Sequence, residues 1–133
     1  MTDSDRARSD AEVVDAYWSF HRLSSSETRT DRLRADDHRW AWEHVDRLVR
    51  EDPDAALQTT LLLADTAPGD EALAYLGAGP IEDLIRQATP SMVDRILGWA
   101  SRNDRFCVAV RSAWLTGVDE ATAERISELG RRR

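Results

Sequence analysis

The chain has 133 residues and a mass of 15.0 kDa, the size of one domain with enough interior for a core that needs neither disulfides nor metal. Acidic residues outnumber basic ones 25 to 18, giving a net charge of −7, which argues against long-range attraction to nucleic acid or anionic lipid and suits a basic protein partner. Its one cysteine, Cys107, excludes a disulfide framework and a thiolate metal cluster.

Every basic residue is arginine, which fits a GC-rich or salt-adapted genome better than a functional choice. No apolar run approaches the roughly 18 residues that span a membrane. The polar start "MTDSDRARSD" lacks the apolar stretch of a signal peptide. Together these features lead to the expectation of a soluble cytoplasmic protein.

Helical spacing dominates the chain, with no sustained two-residue alternation. Residues 1–8 are expected to be a disordered lead-in, 9–130 a single helical domain and 131–133 a basic tail. Ser9 and Glu12 form an S-x-x-E capping box before an apolar face of Val13, Val14, Tyr17, Trp18 and His21. The polar interval 23–36 reads as loop, with room for a helical turn around Asp31–Arg34. A second helix is expected over Asp37–Arg50, its stripe carried by Ala41/Trp42, Val45 and Leu48/Val49. Its wet side pairs Glu43 with Arg47 and Asp46 with Arg50.

Asp52 and Pro53 are a cap and first-turn signature for a third helix through Leu57, Leu61 and Ala64, which Pro68-Gly69 stops. Asp70 is expected to cap a short fourth helix bearing Leu73 and Leu76. The stretch "LGAGPIEDLI", residues 76–85, follows. Gly77 reads as a left-handed C-cap, Gly79 as a tight approach and Pro80 as the first position of a fifth helix bearing Ile81, Leu84, Ile85 and Ala88. On that reading Glu82 and Asp83 lie in a first turn, where the helix dipole favours negative charge. Thr89-Pro90 opens a sixth helix with Val93, Ile96, Leu97 and Ala100. Asn103-Asp104 starts a seventh with Phe106, Val110, Ala113 and Trp114, closed by Gly117, and Asp119 opens an eighth with Ile126 and Leu129. Short connections make the fold all-α: seven to eight short antiparallel helices, loosely like HEAT hairpins and without a strict repeat period.

Signatures of chemistry are scarce. "GAGP" has neither the G-x-G-x-x-G spacing nor a following Lys-Ser/Thr, and a phosphate there would meet Glu82 and Asp83. His38 and His44 lie about 120° apart around a helix, so they cannot chelate one metal together; His21 reads as a core histidine. No nucleophile elbow and no Cys–His proximity is present, Cys107 reads as a buried thiol, and no cofactor or metal site is expected. Of the five tryptophans, Trp18, Trp42, Trp99 and Trp114 fall on or beside apolar stripes and are expected in the core. Trp40 lies about 140° from the Val45 direction and either packs on the 23–36 loop or serves as an exposed aromatic anchor for a partner.

"YLGAGPIEDLI", "NDRFCVAVRSAWL" and the upstream "WEHVDRLVREDPDAAL" resemble an uncharacterised bacterial family with a Leu-Gly-Ala-Gly-Pro-Leu-Glu-Asp-Leu-Leu core and a downstream Asp-x-x-Phe…Trp helix. The matching positions are Leu76, Gly77, Gly79, Pro80, Glu82, Asp83 and Leu84, then Asp104, Phe106 and Trp114, within residues 37–116. That family is similar in style to small all-helical proteins found near toxin and defence genes. The resemblance implies a fold and carries no activity.

The leading functional expectation is therefore a non-enzymatic protein-interaction module, immunity-type or regulatory, that binds a basic protein partner. Its candidate contact residues are Trp40, Glu82 and Asp83, with Gly77, Gly79, Pro80, Phe106 and Trp114 as structural motif residues. The alternative is a small hydrolase or transferase using Asp/Glu acid–base residues in a groove near Glu82 and Asp83, which two carboxylates and a His or Arg converging in a deep pocket would favour and capped, solvent-facing acids would sink. An Arg-rich face for nucleic acid ranks third, against the net charge. Oligomeric state is left open.

Overall fold

A computed structural model describes residues 9–131 of the chain, with side chains through Leu129. It is all-helical, with no strand among the described residues. The expected lead-in 1–8, and all but the first residue of the expected basic tail, lie outside that range.

Helix α1 spans Asp10–Ser24 and α2 Arg29–Arg34, followed by a tighter 3-10 turn Ala35–His38. Helix α3 is Arg39–Glu51, α4 Pro53–Thr66, α5 Asp70–Leu76, α6 Glu82–Arg86, α7 Pro90–Arg102, α8 Asp104–Arg111 and α9 Glu120–Arg131. Between α5 and α6, residues Gly77–Ile81 form a π-helical turn. No described helix is long and apolar enough to cross a membrane.

Most helix starts follow from side chains that accept the orphan amide donors of a first turn. Ser9 takes the Glu12 N–H at 3.1 Å while the Ser9 N–H donates to Glu12 Oε1 at 3.0 Å, completing the capping box. Asp52, Thr89, Asn103 and Asp119 do the same for Ala55, Met92, Phe106 and Thr122 at 3.0–3.2 Å. Pro53 and Pro90 occupy first-turn positions, where a missing N–H costs nothing. Gly69, rather than Asp70, caps α5.

Each helix expected from the sequence has a counterpart, and α2 is an addition where loop was expected. Its cause is local: Thr28 caps Asp31, Ser26 donates to Asp31 Oδ2 at 2.9 Å, and Arg32 donates to the Ser26 and Glu27 carbonyls. No residue of α2 is buried, so an apolar stripe could not have announced it.

The larger departure is at 77–81. Gly77 is no left-handed cap: its φ of −66° and ψ of −42° are ordinary right-handed helix, and the chain runs helically from Asp70 to Arg86. Pro80 does not begin a helix but sits inside one. Proline supplies no N–H and its ring collides with the carbonyl four residues back. The wider π turn relieves that collision, and the Glu82 N–H reaches back five residues to the Gly77 carbonyl.

The glycine roles are likewise exchanged. A Cβ on Gly77 would lie 1.9 Å from the Ala109 carbonyl oxygen, so the start of the π turn, where it continues α5, meets α8 backbone to backbone; a Cβ on Gly79 would meet nothing within 4 Å. Glycine at 77 is what allows the approach. Around it Leu73, Leu76, Ile81, Leu84, Phe106, Ala109 and Val110 are buried and belong to one core that reaches from α1 to α9. Cys107 is buried in the same core, and burial pushes its thiol pKa up, away from the reactive thiolate.

Helix α8 ends at Arg111, not at Gly117. The following loop 112–119 contains the one described glycine with positive φ, Gly117 at 85°, a left-handed conformation suited to glycine. Trp114 consequently leaves the helix and is 69% exposed, against the expectation of a core residue, whereas Phe106 is fully buried as expected.

Candidate functional site

Glu82 and Asp83 are adjacent in sequence and diverge in space. Glu82 turns to the 112–119 loop: its Oε1 accepts the Trp114 N–H at 2.7 Å, and its Oε2 lies 3.4 Å from Arg86, which donates to the Trp114 carbonyl at 3.4 Å. One carboxylate and one guanidinium thus hold both polar groups of a single peptide residue. These contacts give Glu82 a structural role that its expected place in a first turn does not describe.

Asp83 instead lines a cavity of about 50 Å³ together with Tyr17, Trp42, Asp46, Val49, Gly79 and Pro80. The elements that build it are α1, α3, the π turn and α6. Gln87 ties the last of these to α3 by donating to the Val49 carbonyl at 2.9 Å. Trp42, Asp46 and Val49 are spaced by four and three, which places them on one side of α3.

Tyr17 and Val49 are the most buried side chains of the lining. Tyr17 is 1% exposed, its ring packs edge-on against Trp18 with centroids 5.2 Å apart, and its hydroxyl has no hydrogen-bonding partner among the described protein groups. Burial, then the neighbouring Tyr75, push its pKa up, so it stays a neutral phenol. A buried hydroxyl without a partner costs free energy, which marks it as an atom that a ligand group could satisfy.

Trp42 and Asp83 form the accessible rim, Trp42 being 36% exposed where a core position was expected. Burial, followed by Glu82 and Asp46, raises the Asp83 pKa, opposed by Arg86. Asp83 is exposed at this rim, and the acidic neighbours outweigh Arg86 in its surroundings. Asp46 has one oxygen 3.0 Å from Arg50, in an ion pair whose members are both substantially exposed and so exchange at little cost.

Other sequence candidates fall elsewhere. Trp40 is half-buried against the core rather than an exposed anchor. Trp18 is buried and donates its indole N–H to Thr66 at 3.1 Å, while Trp99 is 37% exposed beneath the Arg102 guanidinium, 4.8 Å from its ring centroid. His21 is buried between Trp18 and Tyr75, and loss of hydration lowers its pKa despite Glu71. Among the described residues no cluster of His, Cys, Asp or Glu could hold a metal ion. The cavity lining contains two carboxylates, Asp46 and Asp83, and neither His nor Arg. A larger groove of about 280 Å³ runs between α7 and α9, but its Asp94 and Arg125 neutralise each other at 3.0 Å.

Tyr17, Trp42 and Asp46 were absent from the site expected from sequence. The available signal was faint: a phenol on an otherwise apolar stripe needs a partner, and Trp42 and Asp46 share a helix face. Residues 28–133 match the family of unknown function DUF6869, and the chain belongs to that family. No curated protein and no solved structure matches the chain.

Proposed function

We propose that this member of DUF6869 is a non-enzymatic interaction module that binds a basic protein partner, in an immunity-type or regulatory role. The supporting observation is the placement of Asp46 and Asp83, from separate elements, around the rim-exposed Trp42. Aromatic anchors flanked by complementary charge are what partner surfaces use for affinity and orientation. The net charge of −7 adds long-range attraction toward a cationic surface.

The cavity is far smaller than the several hundred Å³ that usually enclose a metabolite, and it has the scale of one side-chain tip. That scale favours contact with a protein over turnover of a substrate. The test is affinity capture on the full chain from lysate of its native host at physiological salt. Recovery of a protein of basic isoelectric point, released as salt rises, is the expected result. Recovery of no protein, or of one whose binding ignores salt, overturns the reading.

A further inference from the structure

The geometry points to a pocket for one guanidinium group: we propose that Tyr17, Trp42, Asp46 and Asp83 receive a single arginine side chain of the basic partner. This inference rests on the interaction reading above and assigns its contact.

Four features of the cavity select that group. Its volume of about 50 Å³ is the space of roughly three to five water molecules at about 10–15 Å³ each, the scale of a planar guanidinium. Its polar groups are acceptors. Two carboxylates, Asp46 and Asp83, stand at one cavity with no cation among the lining residues, and Tyr17, which also lines it, has a buried hydroxyl without a protein partner. A guanidinium carries five N–H donors in a fixed fork and no acceptor, so it can serve both carboxylates and the phenol oxygen together. Trp42 adds an aromatic wall, on which a guanidinium stacks better than a strongly hydrated ammonium.

The surrounding charges set the competition. Asp46 is engaged by Arg50 at 3.0 Å on its own helix, and Glu82 by Arg86 at 3.4 Å, so Asp83 is the rim carboxylate with no ion pair among the described residues. An entering cation supplies what burial and the nearby Glu82 and Asp46 take from Asp83. The incoming arginine exchanges with or joins Arg50 at Asp46, a surface pair that holds its partner weakly.

The test titrates the full chain with N-acetyl-arginine amide, its lysine and citrulline counterparts, and a short peptide with one central arginine among neutral residues. Amide and indole NMR shifts of Trp42, Gly79 and Asp83 report occupancy. The expected result is saturable binding of the arginine probe, weaker binding of lysine, none of the neutral citrulline, and tighter binding of the peptide. Asp46→Asn and Asp83→Asn should each weaken binding on the order of ten- to a hundredfold, and Tyr17→Phe about two- to tenfold, with every variant folded at the temperature of the titration.

Equal binding of citrulline, lysine as tight as arginine, or full affinity in the folded aspartate variants overturns the guanidinium assignment. Peptide binding no tighter than the capped amino acid overturns the assignment to a protein partner. Capture of the same basic partner by wild type and by the Asp46→Asn/Asp83→Asn double variant overturns the pocket and leaves the interaction reading standing. A saturable arginine site with no protein captured does the reverse.

Discussion

Replacing Gly77 by alanine is expected to destabilise the fold even though alanine is the better helix former. At a helical position the exchange would ordinarily gain about 0.5–1 kcal/mol through the unfolded chain. Here the new Cβ would lie 1.9 Å from the Ala109 carbonyl oxygen, 2.9 Å from the Ala109 carbonyl carbon and 2.8 Å from Ser112 Cβ. A carbon and an oxygen in ordinary contact sit more than a full ångström farther apart, and the obstacle is the backbone of α8, which has no rotamer to change. Relief requires prising α8 from α5 at a place where Leu76, Phe106 and Val110 are fully buried. Overpacking of that kind costs about 1–3 kcal/mol or more, so the net loss is set at about 2 kcal/mol, or roughly 5–10 °C in melting temperature for a chain of this length. Gly79→Ala is the control: a Cβ there meets nothing within 4 Å, and a gain of about 0.5–1 kcal/mol is expected. Paired urea and thermal denaturation of the two variants decides the matter. A Gly77→Ala protein as stable as wild type, or a Gly79→Ala protein that loses as much, refutes the reasoning.

Other outcomes follow from the same contacts. Glu82→Ala should cost about 1–2 kcal/mol and expose the Trp114 amide to rapid hydrogen exchange, because it removes a charged acceptor at 2.7 Å and the anchor of Arg86. Trp114→Ala should leave the urea midpoint nearly unchanged, since a residue 69% exposed contributes little core. His21 has a folded pKa below its unfolded value, so both states are neutral well above pH 6.5. As pH falls through that value the unfolded chain takes up the proton first and stability drops, until the folded pKa is passed. A pH series of melting temperatures for wild type and His21→Gln should show a steeper acid loss in wild type between about pH 7 and 5. Asp83 has a folded pKa above its unfolded value, so its ionised form is the one the fold disfavours at neutral pH. Asp83→Asn should therefore melt no lower than wild type at pH 7, and its advantage should shrink as pH approaches 4.

Much of the fold was legible because its punctuation is chemical. Ser9, Asp52, Thr89, Asn103 and Asp119 each accept an amide of a first turn, and such acceptors can be read one residue at a time. The failures came where two weak local signals were resolved by a distant contact. Glycine and proline in "GAGP" are breakers in isolation, yet the close seat of Gly77 on Ala109 and the widened turn at Pro80 carry the helix through. Trp114 sits at helical spacing from Val110, but Glu82, 32 positions away, takes its amide proton and the chain departs. Likewise the cavity was invisible because Asp83 was the only one of its three polar members in a conspicuous motif. Asp46 was accounted for by its i,i+4 arginine and Tyr17 by its apolar neighbours, and only tertiary packing brings the three together.

The π turn has a further consequence, for the phase of everything downstream. In an unbroken α-helix, positions seven apart return to almost the same azimuth. Counting from Leu76, which is fully buried, an unbroken helix would carry Asp83 to the same inward bearing and leave an acid facing the core. The surplus residue in Gly77–Ile81 moves the inward stripe on by one position, to Ile81, Leu84 and Ile85, and delivers Asp83 to the cavity rim. Regularising this turn to α-helix with every residue kept would turn the acid toward the core, whereas removing Ala78 would take out the surplus residue and leave Ile81, Leu84 and Asp83 on their present bearings. The proline that looks like a defect in the helix is therefore a gearing device, and it decides which of two neighbouring carboxylates reaches the cavity rim.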